Sequence, residues 1–229
     1  MPNGKIKTAD ALSLALILPA PVLGVMAGME WGAGTVWGRA VFGACKIWIL
    51  TVPLLWLRFS GGEHVSWSPV RKGGIWPGFL SGLAIAGIVA GAGLTIGRRM
   101  IDCAVMSAIL REVGLGEPAR YIAGALYWIL VNSLLEEYVW RWFVFERLKT
   151  FFGASGAVIA GSFAFTVHHF AALNIFLNVQ VALMASAGIF VGGALWCVFY
   201  ARYRSIWPGY VSHVMADIGV FVAGYFLLF

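Results

Sequence analysis

Seven runs of largely apolar residues, at about 11–29, 35–57, 76–97, 119–145, 154–173, 177–200 and 206–228, occupy most of this chain. Each is near the roughly 20 residues that a helix rising 1.5 Å per residue needs to cross a hydrocarbon core about 30 Å thick. The fold expected is therefore all-α: a polytopic transmembrane helical bundle of about seven spans. The stretch 101–117 is shorter and carries Asp102, Arg111, Glu112 and Glu117 among apolar residues, so it reads as one interfacial or re-entrant helix. No internal repeat or low-complexity segment divides the sequence, which reads as a single transmembrane domain over 1–229. Lys5 and Lys7 ahead of the first run would also suit a signal peptide. An apolar length of about 18 residues that includes two prolines favours a retained helix.

Composition supports a membrane class. Of 229 residues, 61% are hydrophobic and 11% charged, against about a quarter charged in a soluble domain. The net charge of +6 is no nucleic-acid footprint, because the bases sit at the ends of apolar runs, where they act as orientation signals. Lys5, Lys7, Arg58, Arg71, Lys72, Arg147, Lys149, Arg202 and Arg204 fall on one side of the seven-span drawing. Arg98, Arg99, Arg111 and Arg120 fall on the other, which places the N-terminus in the cytoplasm and the protein in the cell membrane. Trp31, Trp56, Trp76 and Trp207 lie at run ends, as in aromatic belts. Cys45, Cys103 and Cys197 have no ligand spacing and read as packing residues. Gly87-xxx-Gly91, Gly93-xxx-Gly97 and Gly188-xxx-Gly192 are candidate sites of close helix approach.

What remains is a short set of ionisable groups inside apolar runs. The fourth run holds Glu136, Glu137 and Arg141, the fifth His168 and His169, and the seventh His213 and Asp217. An acid at that depth costs roughly 2.5–3.5 kcal/mol on insertion scales. A chain keeps such groups where they pair, face an interior or do chemistry. Arg39 and Lys46 in the second run read as snorkelling or paired bases. Glu137 and Arg141 are four apart and stack on one helix face, with the acid on the favourable N-terminal side. Glu136 is rotated from Glu137 by about 100°. It is left for the interior, where an unpaired carboxylate suits proton transfer near neutrality. His213 and Asp217 also share a face.

A glutamate with a histidine can polarise and deprotonate a water, while a second histidine with an amide or acid holds a developing oxyanion. That is water attack on a carbonyl. The same residue types would allow Glu136, His169 and His213 to bind zinc, although no HExxH spacing is present. In the linear drawing His169 lies nearer the outer face than His213, by about a third of the core, so convergence requires a tilt or kink.

At these residues the chain resembles the type II CAAX prenyl endopeptidase and bacteriocin-processing family of intramembrane proteases. Glu136-Glu137-Tyr138-Val139-Trp140-Arg141 matches its EExxxR motif, Phe165 with His169 its FxxxH motif, and His213 with Asp217 its HxxxN/D motif. The motifs arrive in the family's order over about 119–220. The resemblance implies a glutamic-type, metal-independent endopeptidase that needs no cofactor and acts on a membrane-associated protein or peptide. In it Glu136 and His169 would activate water, and His213 with Asp217 would stabilise the oxyanion. Glu137, Arg141 and Phe165 would shape the site. Asp217 departs from the Asn of many relatives; an ionised Asp cannot donate to an oxyanion and would instead orient His213. Two other classes compete: a non-catalytic immunity or scaffold protein of the same family, and a proton-coupled transporter using the same acids and imidazoles as a relay. The transporter lacks support from an inverted repeat or a pair of broken helices.

Overall fold

The computed structural model describes residues 2–60, 66 and 68–229, with side chains described from Lys7 onward and not at Ser60. Lys5, one of the orientation bases, therefore lies outside the described side chains. The described residues form helices, turns and short connections, with no strand among them. Six helices are long and apolar enough to cross a membrane: α1 (Lys7–Trp31), α2 (Val36–Phe59), α3 (Ile75–Met100), α5 (Pro118–Phe176), α6 (Val179–Tyr203) and α7 (Trp207–Leu228). This is a multi-pass, all-α membrane bundle. Between α3 and α5 lies α4 (Cys103–Glu112), whose Asp102 caps it by accepting from the backbone N–H of Ala104 and Val105 at 3.0 and 3.1 Å. At about 15 Å of rise it is too short to cross.

The helix α5 decides the architecture. Its 59 residues would be about 88 Å long if straight, far more than one crossing needs. The backbone leaves helical geometry at Gly153, where φ is 66° and ψ is −178°. That is a left-handed φ, which glycine adopts without a Cβ penalty. On either side the chain folds back on itself. Trp140 stacks on His168 with centroids 5.1 Å apart, Arg141 lies over the Phe165 ring at 4.5 Å, and Gly161 abuts Leu148. These pairs are nearly symmetric about Gly153, so the two arms of α5 run antiparallel. The reversal brings the first arm's glutamates level with the second arm's histidines, which the linear drawing of depths had kept apart.

The first arm is also not a plain α-helix. Wider π-type turns at Tyr127–Asn132 and Tyr138–Phe145 flank the α-helical segment Ser133–Glu137. Such turns inside helices occur frequently at functional sites.

Close backbone approach occurs at α3 and α7. A Cβ on Gly82 would fall 2.8 Å from Ser212 Cα, and one on Gly219 would fall 2.7 Å from the Ala86 carbonyl oxygen. Gly78 meets the Pro208 backbone in the same seam. Of the spacings expected to serve this purpose, Gly87, Gly91 and Gly188 have open space around them, so those repeats face outward and are not the contact. Gly93 does approach Ala223, and Gly192 touches only its own helix's Trp196. Small-residue spacing permits close approach on any face; packing selects the face.

The core lies around the first arm of α5, where Val139, Phe143, Val144 and Phe145 are fully enclosed with Phe165 and Ile17. Large apolar side chains such as Ile88, Val191 and Leu80 point outward, the pattern of lipid-facing surfaces. Arg147, counted above among loop bases, is buried, with its Nε 3.3 Å from Asp10 Oδ1. It ties α1 to α5 and is not a surface signal. Arg39 hydrogen-bonds the Gly34 carbonyl at 2.9 Å on the exposed side, as a base at a helix end should.

Candidate active site

Three helix segments bring acids and imidazoles to one place inside the bundle. Glu136 and Glu137 come from the first arm of α5, His168 and His169 from its second arm, and His213 and Asp217 from α7. Glu136 is 6% exposed, Glu137 0% and Arg141 1%. Adjacent residues on a helix diverge by about 100°, and each glutamate accordingly serves a different neighbour. Glu136 faces the second arm: His168 Nε2 is 3.6 Å from its Oε1 and His169 Nε2 is 3.8 Å from its Oε2. Glu137 meets α7, where His213 Nδ1 lies 3.1 Å from its Oε1, and Arg141 Nη2 is 3.2 Å from the same oxygen.

His213 bridges the two carboxylates with its two nitrogens. Its Nδ1 is held by Glu137, and its Nε2 is 3.7 Å from Glu136 Oε2 and 3.8 Å from Asp217 Oδ2. Trp196 fixes the ring plane by stacking at a 4.0 Å centroid distance and 18°, and its own Nε1–H donates to Ser212 Oγ at 2.9 Å. His169 is fixed likewise. Its Nδ1 is 2.9 Å from the Phe165 carbonyl oxygen, which can only accept, so Nδ1 carries the proton and Nε2 of the neutral ring is a bare acceptor. Phe165 is a packed wedge, with His169 at 4.3 Å and the Arg141 guanidinium at 4.5 Å from its ring centre. Asp217 Oδ2 accepts from Ser133 Oγ–H at 2.6 Å. The side chains of His169 and Asp217 remain 25% and 22% accessible, so these two are more exposed than Glu136, His168 and His213.

The chemistry of this arrangement lies in an imbalance of donors and acceptors. With Nδ1–H of His213 given to the Glu137 carboxylate, its Nε2 accepts when the ring is neutral and donates when the ring is charged. Glu136 Oε2 then faces two imidazole nitrogens across 3.7–3.8 Å and has no hydrogen bond among the described residues. The two O–H donors of a water can serve two of these acceptors, Glu136 Oε2 and His169 Nε2.

Asn132 carried no mark in the sequence, and Lys46 and His168 were conspicuous there without the contacts that they make. Asn132 donates through Nδ2 to Glu136 Oε1 at 2.9 Å. Lys46, expected to snorkel or to pair, pairs inward and donates to Asn132 Oδ1. His168 approaches Glu136 as closely as His169 does, whereas the FxxxH match singled out His169 alone. The spacing of Asn132 one helical turn before Glu136 was a usable signal for the first. Nothing local distinguished the contacts of the other two. The residues whose ligand atoms share a metal-sized space are Glu136, His168 and His169, within 4.8 Å of one another. Among the described residues this group has His168 where the zinc set drawn from residue types had His213, whose Nδ1 is held by Glu137.

Residues 118–219 match the family model described as "Rce1-like: Type II CAAX prenyl endopeptidase Rce1-like". Over this segment the chain is similar to that family. The segment contains both arms of α5, all of α6 and the part of α7 that carries His213 and Asp217, while α1 to α4 lie outside it. Neither the curated proteins nor the solved structures provide a match to the chain. The chain is thus a multi-pass membrane protein that is similar, over residues 118–219, to the CAAX prenyl endopeptidase family.

Proposed function

We propose that this protein is an intramembrane endopeptidase that hydrolyses a peptide bond of a membrane-associated protein, using water activated by Glu136 and His169. The observation that carries the reading is the meeting of Glu136 Oε2 with His169 and His213, from separate helix segments, inside an apolar bundle. Water held between Glu136 and His169 gives one proton to Glu136 as its oxygen attacks the scissile carbonyl, and that proton passes to the amine nitrogen as the C–N bond breaks. His213 takes the opposite role. Carboxylates of Glu137, Glu136 and Asp217 surround its ring, so an imidazolium is compensated there and can donate from Nε2 to the developing oxyanion. Asp217 supports this ring and, accepting from Ser133, is not itself the oxyanion donor. Glu137 and Arg141 hold His213 and the Phe165 wedge in place. The reaction drawn in this way calls on side chains alone.

The substrate enters from the lipid phase past His169 and Asp217, which suits a membrane-anchored segment such as a lipidated or hydrophobic C-terminal tail. The excess of Lys and Arg on one side supports a cell-membrane protein with its N-terminus in the cytoplasm, even with Arg147 removed from the count.

The test uses the full chain in proteoliposomes with two sets of quenched reporters, farnesylated CAAX-type peptides and unprenylated membrane-anchored tails. Cleavage should disappear in Glu136→Gln and in His169→Ala while expression and elution profile persist. Full activity in either variant ends this mechanism. A wild-type protein that leaves both reporter sets intact supports the non-catalytic reading instead.

A further inference from the structure

Lys46 belongs to α2, outside the Rce1-like segment 118–219. We infer that Lys46 is a positioning residue for the reaction proposed above, acting through Asn132 to set which oxygen of Glu136 is offered to the water. Its ammonium donates to Asn132 Oδ1, and Asn132 Nδ2 donates onward to Glu136 Oε1 at 2.9 Å. An ammonium has three N–H donors and no acceptor, so it can face only the oxygen of an amide. The Asn132 side chain is thereby held with its carbonyl toward Lys46 and its NH₂ toward the carboxylate. Turning the amide over would set an oxygen against a carboxylate oxygen and an NH₂ against an ammonium, which is unfavourable at both ends. Without the lysine, only one of those two penalties opposes the turn.

The relay ends on one oxygen only. Asn132 precedes Glu136 by one helical turn and lies on its face. It occupies Oε1, which His168 Nε2 also approaches at 3.6 Å. Oε2 is left pointing at His169 and His213. A lysine that merely snorkelled would direct its ammonium toward the membrane surface. This one is turned into the bundle, with its ammonium also 5.6 Å from the centre of the Phe42 ring.

The full chain in lipid nanodiscs tests this with Lys46→Met, Lys46→Arg, Asn132→Ala and the Lys46→Met/Asn132→Ala double variant. With a farnesylated CAAX-type reporter, Lys46→Met should lower kcat about 10- to 100-fold, the scale of a misplaced reacting group, with KM little changed. Lys46→Arg, which keeps a donor-only cation, should recover most of the loss. Once Asn132 is alanine, Lys46→Met should cost nothing more. An equal further loss in that background, or a loss confined to KM, overturns the inference.

A second readout needs no substrate. In protein labelled with ¹⁵N at asparagine, the Asn132 side-chain amide should shift in Glu136→Ala, and Lys46→Met should move it the same way. An amide signal unmoved by Lys46→Met also overturns the inference. If the signal moves as expected while the wild type cleaves no reporter, the endopeptidase reading falls, and with it the positioning role, leaving only the orientation of Asn132 by Lys46.

Discussion

At the scale of single residues, the site is a set of charges that the interior tolerates because each is compensated. Removing Arg141 would leave Glu137 enclosed with only His213 against it. Arg141→Met should therefore destabilise the detergent-solubilised protein by about 3–5 kcal/mol, the usual penalty for breaking a buried pair, read as a lowered unfolding midpoint. Arg141→Lys should fail to restore it, because the guanidinium lies flat over the Phe165 and Trp196 rings at 4.5 and 5.2 Å and an ammonium cannot stack in this way. Catalysis and stability should separate at Glu136. Its replacement by Gln should slow single-turnover cleavage about 10²–10⁴-fold, the contribution of a general base, with the unfolding midpoint nearly unchanged. Glu136, His169, His213 and Asp217 were legible in the sequence because ionisable groups in apolar runs are conspicuous. Asn132, Ser133 and Trp196 were not, because small polar and aromatic residues are ordinary in membrane helices and incur no comparable penalty.

At the scale of elements, the reversal at Gly153 and the α3–α7 seam do the positioning. Gly153 meets nothing within 4 Å of an added Cβ, yet its φ of 66° is strained for any other side chain. Gly153→Ala should thus lower stability by about 1–2 kcal/mol through backbone conformation alone. Gly82 has the opposite problem, an ordinary backbone with no room. Gly82→Leu should push α3 from α7, disturb Ser212 beneath Trp196 and lower stability by about 1–3 kcal/mol, with loss of cleavage because Trp196 carries His213. Circular dichroism melts with a parallel activity assay would distinguish the two cases. The apolar runs themselves were readable from hydropathy, since each is an energy of transfer summed along a segment. The seam was not, because Gly78 and Gly82 show the same spacing as Gly87 and Gly91, which face open space.

At the scale of the whole molecule, the bundle joins the segment that matches the family model, which carries the motif residues, to a preceding part that supplies at least Lys46 and the Asp10 partner of Arg147. The proposed topology predicts that alkaline phosphatase fused after Phe229 is active in a bacterial host and inactive when fused after Lys72; the reverse result would invert the bundle in the membrane. What the sequence by itself determined is the class of fold and the short set of ionisable groups worth watching, since hydropathy and charge are properties that each residue carries wherever it lies. Tertiary structure alone decided that α5 turns back at Gly153, that His213 bridges both glutamates, and that a lysine from a distant helix reaches Asn132. Those depend on the relative placement of helices, which one backbone angle and a few close contacts set, and which no sum along the chain contains.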